Sequence, residues 1–152
     1  MIRLTTIAVA AVGLAIAGYL TIIHYAGADP VCAIAHGCAT VQKSDYAQLA
    51  GVPVALLGVF GYLGVLASLI RDTETTRTAA AFLSIGGLAF SGWLTYVEVG
   101  ILDAICIWCV GSAICMALLT VLTVARLLRA EPYRPHDSSI RPVRRHRRRS
   151  PA

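Results

Sequence analysis

Charge is what this sequence has least of. Only 14% of its 152 residues are Asp, Glu, Lys or Arg, where a soluble domain carries about 25%. That shortfall excludes an ordinary soluble globular protein. The hydrophobic content of 57% excludes a disordered chain, which needs low hydrophobicity. No internal repeat is present, and the length leaves room for one domain. The formal charge of +5 is unevenly placed. Residues 130–152 hold seven arginines against Glu131 and Asp137, which accounts for all of it, while residues 1–129 carry six basic and six acidic side chains. The chain is an apolar, neutral body, 1–129, followed by a basic tail, 130–152.

In place of charge there are long uncharged runs: residues 4–28 and 46–70, 25 each, 78–97, 20 residues, and 104–125, 22 residues. A helix needs roughly 20 apolar residues to cross a hydrocarbon core of about 30 Å, and it satisfies its own backbone hydrogen bonds in lipid. The expected fold is therefore all-α, an integral membrane four-helix bundle. The second run is expected to enter the bilayer near Pro53, with the mixed-polarity stretch 46–51 lying along the surface. In the first run, Ala26-Gly27-Ala28 resembles a signal-peptidase site behind Arg3. A signal peptide's apolar core is only about 7–15 residues, however, so this longer run reads as an uncleaved span. Small residues such as Gly58, Gly61, Gly64, Gly86, Gly87, Ser91 and Gly92 suit close helix packing in a membrane.

The positive-inside rule sets the expected orientation. With the N-terminus cytoplasmic, twelve basic residues lie inside and Lys43 alone lies outside. Both termini are then cytoplasmic in an inner membrane, and segments 29–52 and 98–105 face the exterior. The tail is expected to be disordered and to hold the topology, each charge near the surface adding about 1 kcal/mol of attraction to anionic lipid. No nucleic-acid partner is expected, because no fold supports one.

Of the five cysteines, Cys32, Cys38, Cys106 and Cys109 fall on the outer, oxidising face. Cys106-Ile107-Trp108-Cys109 is a CxxC at a helix start. Its sulfurs lie at i and i+3 on one face, and the positive helix N-terminus favours thiolate. An inert disulfide there has little to staple. Cys32 and Cys38 flank a loop of small residues and are open to two readings: a structural disulfide pinning the loop, or a shuttle pair whose movement Gly37 would ease. Zinc on Cys32, His36, Cys38 and the CxxC is disfavoured by the oxidising face, so no metal is expected. Cys115 reads as a small apolar residue. His24 reads as an interfacial anchor, and Trp108 also suits an interface belt. His36 is a candidate for raising the thiolate fraction beside it. Glu98 and Asp103 frame the second outer turn; a solvated turn is the simpler account, tuning of the thiolates or proton uptake the alternative.

These residues resemble the vitamin K epoxide reductase family in its bacterial form, over about residues 5–128. The resemblance rests on Cys32 and Cys38, Ser44 six residues on, Gly51-Val52-Pro53 and Leu56-Leu57-Gly58, and the CxxC of the fourth span. The wide pair precedes the CxxC, the reverse of the DsbB order. The resemblance implies a membrane thiol:quinone oxidoreductase. Cys32 would form a mixed disulfide with a thioredoxin-like, DsbA-type partner, and Cys38 would pass electrons to Cys106. Cys109 would reduce a quinone, menaquinone or ubiquinone, held among the helices, with Ser44 nearby as a hydrogen-bond donor. A cap on the short surface helix is the alternative for Ser44. Only 23 residues follow Arg129, so the partner is expected to be a separate chain. Val54 and Ala113 depart from the family's animal members, which carry an asparagine and a tyrosine there; both changes remove polar contacts to the quinone and weigh against epoxide reduction. The rival readings are a quinone or vitamin K epoxide reductase proper, and a non-enzymatic membrane protein with static disulfides or a metal site.

Overall fold

The computed structural model describes residues 1–32 and 37–129. His36 and the basic tail, on which two of the expectations above fall, lie outside the described residues. The apolar runs become α1 (Ile2–Ala26), α3 (Val54–Ser68), α4 (Glu74–Gly100) and α5 (Ile107–Leu128), and a short α2 (Cys38–Lys43) sits in the first loop. The protein is an all-α membrane bundle, as the composition implies.

Three helices, α1, α4 and α5, are long and apolar enough to cross a membrane. The remaining expected span, α3, is a shorter helix than its uncharged run implies. At 15 residues α3 extends roughly 22 Å, short of a hydrocarbon core of about 30 Å. Its run of 25 uncharged residues is divided before the helix begins. A 3-10 turn, Asp45–Ala47, is followed by β1 (Gln48–Leu49) and β2 (Val52–Pro53), an antiparallel pair in which Gln48 faces Pro53 and Leu49 faces Val52. The two turn residues between them, Ala50 (φ 53°) and Gly51 (φ 82°), both have positive φ, as a tight hairpin of the right-handed twist requires. The expectation that the chain turns inward near Pro53 holds, since α3 begins at Val54.

Four helices close into a ring: α1 packs on α3 and α5, and α4 packs on the same two. Tyr62 of α3 fills the centre, fully buried among Ala10, Ala17, Val65, Cys115, Met116 and Leu119. Its hydroxyl crosses to α5 and donates to the Ser112 carbonyl at 2.9 Å, so the ring's one polar atom is satisfied as burial demands. Gly13 makes room for it, because a β-carbon there would overlap the Tyr62 ring. Ser84 and Thr123 join α4 to α5 through a buried bond of 2.7 Å. Cys115 is buried in this core, in keeping with its reading as a small apolar residue.

The two ends of the bundle differ in chemistry. At one end Arg3 donates to the Leu69 carbonyl (2.9 Å), and Asp72 binds Arg77 (2.7 Å) and Arg126 (3.0 Å). Thr73 and Thr76 cap α4 there reciprocally. The other end carries α2, the hairpin and the α4–α5 turn, and with them the cysteine pairs.

Candidate active site

Cys32 and Cys38 are joined by a disulfide with Cα atoms 6.3 Å apart. Cys106 and Cys109 are free. Cys38 (1% exposed) and Cys106 (0%) are buried in one cluster with Val41, and Cys32, Trp108 and Cys109 pack against it. The fold thus gathers four cysteines from two segments of the chain that lie far apart in sequence.

Three local features force this meeting. Cys106 is the N-cap of α5 and Cys109 lies in its first turn, so the CxxC stands at a helix N-terminus as its sequence implied. Gly37, ahead of Cys38, lies so close to the α4–α5 turn that a β-carbon would sit 2.7 Å from the Ile105 nitrogen. The segment before Cys32 is held from both sides: Trp108 donates its indole N–H to the Val31 carbonyl (2.9 Å), and the Tyr19 hydroxyl accepts the Val31 N–H (3.1 Å). Tyr19 and Trp108 also stack, with ring centres 4.8 Å apart. Tyr19 and Val31 were not legible as site residues, because no motif marks them.

Glu98 departs from the simpler expectation. It is 3% exposed, inside the bundle rather than on a solvated turn. Its carboxylate accepts the Cys106 backbone N–H at 3.1 Å and stands beside the Cys109 thiol. Asp103 is exposed on the turn as expected. The Cys106 thiol, ahead of the membrane helix, is held below the ordinary thiol range. The Cys109 thiol donates to it, burial opposes, and the Cys109 and Trp108 backbone N–H groups add to the lowering. The helix N-terminus acts here through those same N–H groups.

A cavity of about 740 Å³ opens beside the cysteines, between α3 and α4, and Cys109 lines it. Val54, Leu57, Phe82 and Phe90 give it an apolar wall, and Ser44, Glu98 and Ser112 are among its polar members. Ser44 terminates α2, its hydroxyl donating back to the Val41 carbonyl at 2.7 Å; it makes no side-chain cap to the turn that follows. Val54 does line the cavity, whereas Ala113 is not among its lining residues and its neighbour Ser112 is. His24 Nε2 lies 3.3 Å from the Gln48 side-chain nitrogen.

Compared with known families, residues 4–124 match the vitamin K epoxide reductase family. The chain belongs to the vitamin K epoxide reductase family. The match spans both cysteine pairs, Ser44 and the cavity. Membership makes the protein a membrane redox enzyme of the thiol–disulfide and quinone kind, and the buried pairing of the two cysteine segments is the arrangement such chemistry needs. Ser112 and Tyr62, hydrogen-bonded beside the cavity, went unread in the sequence because each looks like ordinary helix packing.

Proposed function

We propose that the protein is a membrane thiol:quinone oxidoreductase that reoxidises a thioredoxin-like, DsbA-type partner on a separate chain and so supports disulfide formation in exported proteins. The observation that carries this reading is the order of the four sulfurs from surface to cavity. Cys32 is partly exposed, Cys38 and Cys106 are buried together, and Cys109 stands on the cavity wall.

Each transfer is a thiol–disulfide exchange. A partner thiolate attacks the Cys32 sulfur, the Cys32–Cys38 bond breaks, and Cys38 leaves as thiolate. The partner's second thiol then releases Cys32 and carries away the new disulfide. Cys38 next attacks the Cys106 sulfur of a Cys106–Cys109 disulfide and Cys109 leaves; Cys32 then attacks Cys38, displacing Cys106 as thiolate and closing the loop disulfide again. The product of that step has an oxidised loop pair and free CxxC thiols, the same pairing found in the structure. The CxxC dithiol then gives up two electrons and two protons and closes its own disulfide.

The cavity fits a quinone: its volume of about 740 Å³ lies within the roughly 300–1,000 Å³ of small-molecule sites. Val54, Leu57, Phe82 and Phe90 would hold the ring and tail, and Ser44 would turn its hydroxyl from Val41 toward a polar ring atom. When bound, a quinone supplies a two-electron, two-proton acceptor. Val54 offers no polar contact at the cavity mouth, which favours quinone over epoxide as substrate. The basic end with Arg3, Arg77 and Arg126 would face the cytoplasm and the cysteine end the exterior. Residues 1–129 would form the membrane domain, and 130–152 the cytoplasmic tail.

The test is electron transfer from a reduced thioredoxin-fold partner to menaquinone or ubiquinone in proteoliposomes, following thiols consumed and quinol formed. Cys106→Ala and Cys109→Ala should each abolish it, and Cys38→Ser should trap Cys32 in a mixed disulfide with the partner. Full activity in both CxxC variants would overturn the reading.

A further inference from the structure

Oxidising the Cys106–Cys109 dithiol to its disulfide releases two protons along with the electron pair, and the wall beside Cys109 is largely apolar. Among the described residues one carboxylate reaches the reacting sulfurs. Glu98 comes from α4, 3% exposed; it accepts the Cys106 N–H at 3.1 Å and stands beside the Cys109 thiol. It also lines the cavity. A carboxylate buried without a cation is costly unless it is hydrogen-bonded or holds a proton. Among the described residues no Lys or Arg pairs with Glu98. Lys43, at the same end, is bound to Asp29 (2.7 Å) on the surface, and the nearest acid along the turn, Asp103, is exposed. The groups facing Glu98 are therefore Cys106 and Cys109 of the α5 start, with Cys38 of α2 held in its disulfide.

We infer that Glu98 is a catalytic base of the CxxC: its carboxylate takes the Cys109 proton as the disulfide forms and releases it into the cavity. The inference rests on the function proposed above. The Cys106 sulfur accepts the hydrogen bond from Cys109, so Cys106 reacts as the thiolate, its own proton already lost to water. The two sulfurs lose two electrons, one S–S bond forms, and the Cys109 proton passes through Glu98 to the acceptor that takes the electrons, whose second proton comes from water. The backbone bond to Cys106 gives Glu98 a fixed position for this.

The experiment compares wild type with Glu98→Gln, which keeps an oxygen for the Cys106 N–H, and Glu98→Asp, which keeps the carboxylate. Two readouts are taken: electron transfer from partner to quinone, and the pH profile of Cys109 alkylation by N-ethylmaleimide in quinone-free protein, resolved by peptide mass. Loss of a general base lowers rates by about 100-fold or more, so Glu98→Gln should lose at least that much turnover. Its Cys109 alkylation should move to lower pH, because a negative charge beside the nascent thiolate is gone. Misfolding would also bare Cys109, so thermal melting in detergent and the Glu98→Asp variant, which keeps the carboxylate, separate loss of the base from loss of the fold. Glu98→Asp should recover part of the turnover. Wild-type turnover in Glu98→Gln, or an alkylation profile that does not move, overturns the inference. A wild type that passes no electrons from thiols to quinone overturns the proposed function instead, and the alkylation profile still decides whether Glu98 and Cys109 share a proton.

Discussion

Trp108 donates its indole N–H to the Val31 carbonyl at 2.9 Å, across 77 positions of sequence. A residue inside the CxxC thus holds the backbone next to Cys32. The two middle positions of a CxxC are usually discussed for their effect on the thiols. Here one of them also fixes the approach of the other cysteine pair.

Trp108→Phe keeps an aromatic ring against Tyr19 but removes the donor. A hydrogen bond of this kind contributes about 0.5–1.5 kcal/mol. The variant should therefore show a Cys32–Cys38 disulfide that external dithiothreitol reduces several-fold faster, with electron transfer to the CxxC slowed. Unchanged reduction kinetics would mean that Tyr19 alone holds Val31.

Gly37 is the contact that lets Cys38 reach the α4–α5 turn, with a β-carbon destined for 2.7 Å from the Ile105 nitrogen. Backbone cannot yield as the end of a flexible side chain can. Gly37→Ala should separate Cys38 from Cys106 and depress turnover, while Cys32, on the outer side of the disulfide, still forms its mixed disulfide with a reduced partner. Gel-shift trapping of that adduct beside a turnover assay separates the two steps.

Tyr62 and Gly13 make a second testable pair. Gly13→Ala drives a methyl into the Tyr62 ring, and overpacking of this kind costs about 1–3 kcal/mol. Tyr62→Phe removes only the bond to Ser112, about 1 kcal/mol. Thermal melting in detergent should rank wild type above Tyr62→Phe and Tyr62→Phe above Gly13→Ala. The combination with Tyr62→Ala should recover part of the Gly13→Ala loss, because the clash partner is gone.

Asp72 gives a pH dependence with a definite sign. Its carboxyl is held below the ordinary carboxylate range, first by the hydrogen bond from Arg77; burial opposes this, and the charges of Arg77, Arg126 and Arg3 each add a smaller lowering. A pKa lower in the folded state means that the unfolded chain binds more protons near it. The stabilisation is complete above the unfolded value of about 3.9 and fades as pH falls through the folded one. Asp72 is half exposed, so the effect is small. Asp72→Asn should melt slightly below wild type at neutral pH, and the two curves should converge in strong acid. A difference that persists there would point to packing rather than charge.

Much of this was written in the composition. Long uncharged runs leave helices as the only backbone solution in lipid, and their positions survive in α1, α4 and α5. The CxxC was legible because its chemistry is local: spacing and a helix start are enough. The length of α3 was not legible, because hydropathy does not distinguish a helix from an apolar hairpin such as 48–53. Glu98 was read as half of a solvated turn because it ends an uncharged run, and sequence alone cannot say which way a residue at a helix end points.

The sequence by itself therefore determined the membrane setting, the order of the helices and the identity of the four cysteines, since each depends on residues close together in the chain. Only the tertiary structure decided that Cys38 is buried against Cys106, that Cys109 and not its neighbour lines the cavity, and that Glu98 turns inward to both thiols. The first of these joins segments more than sixty residues apart, and the last turns on which way a helix end points. They follow from how four helices close around one buried tyrosine, where shape and the need to satisfy each buried polar atom select the pairing.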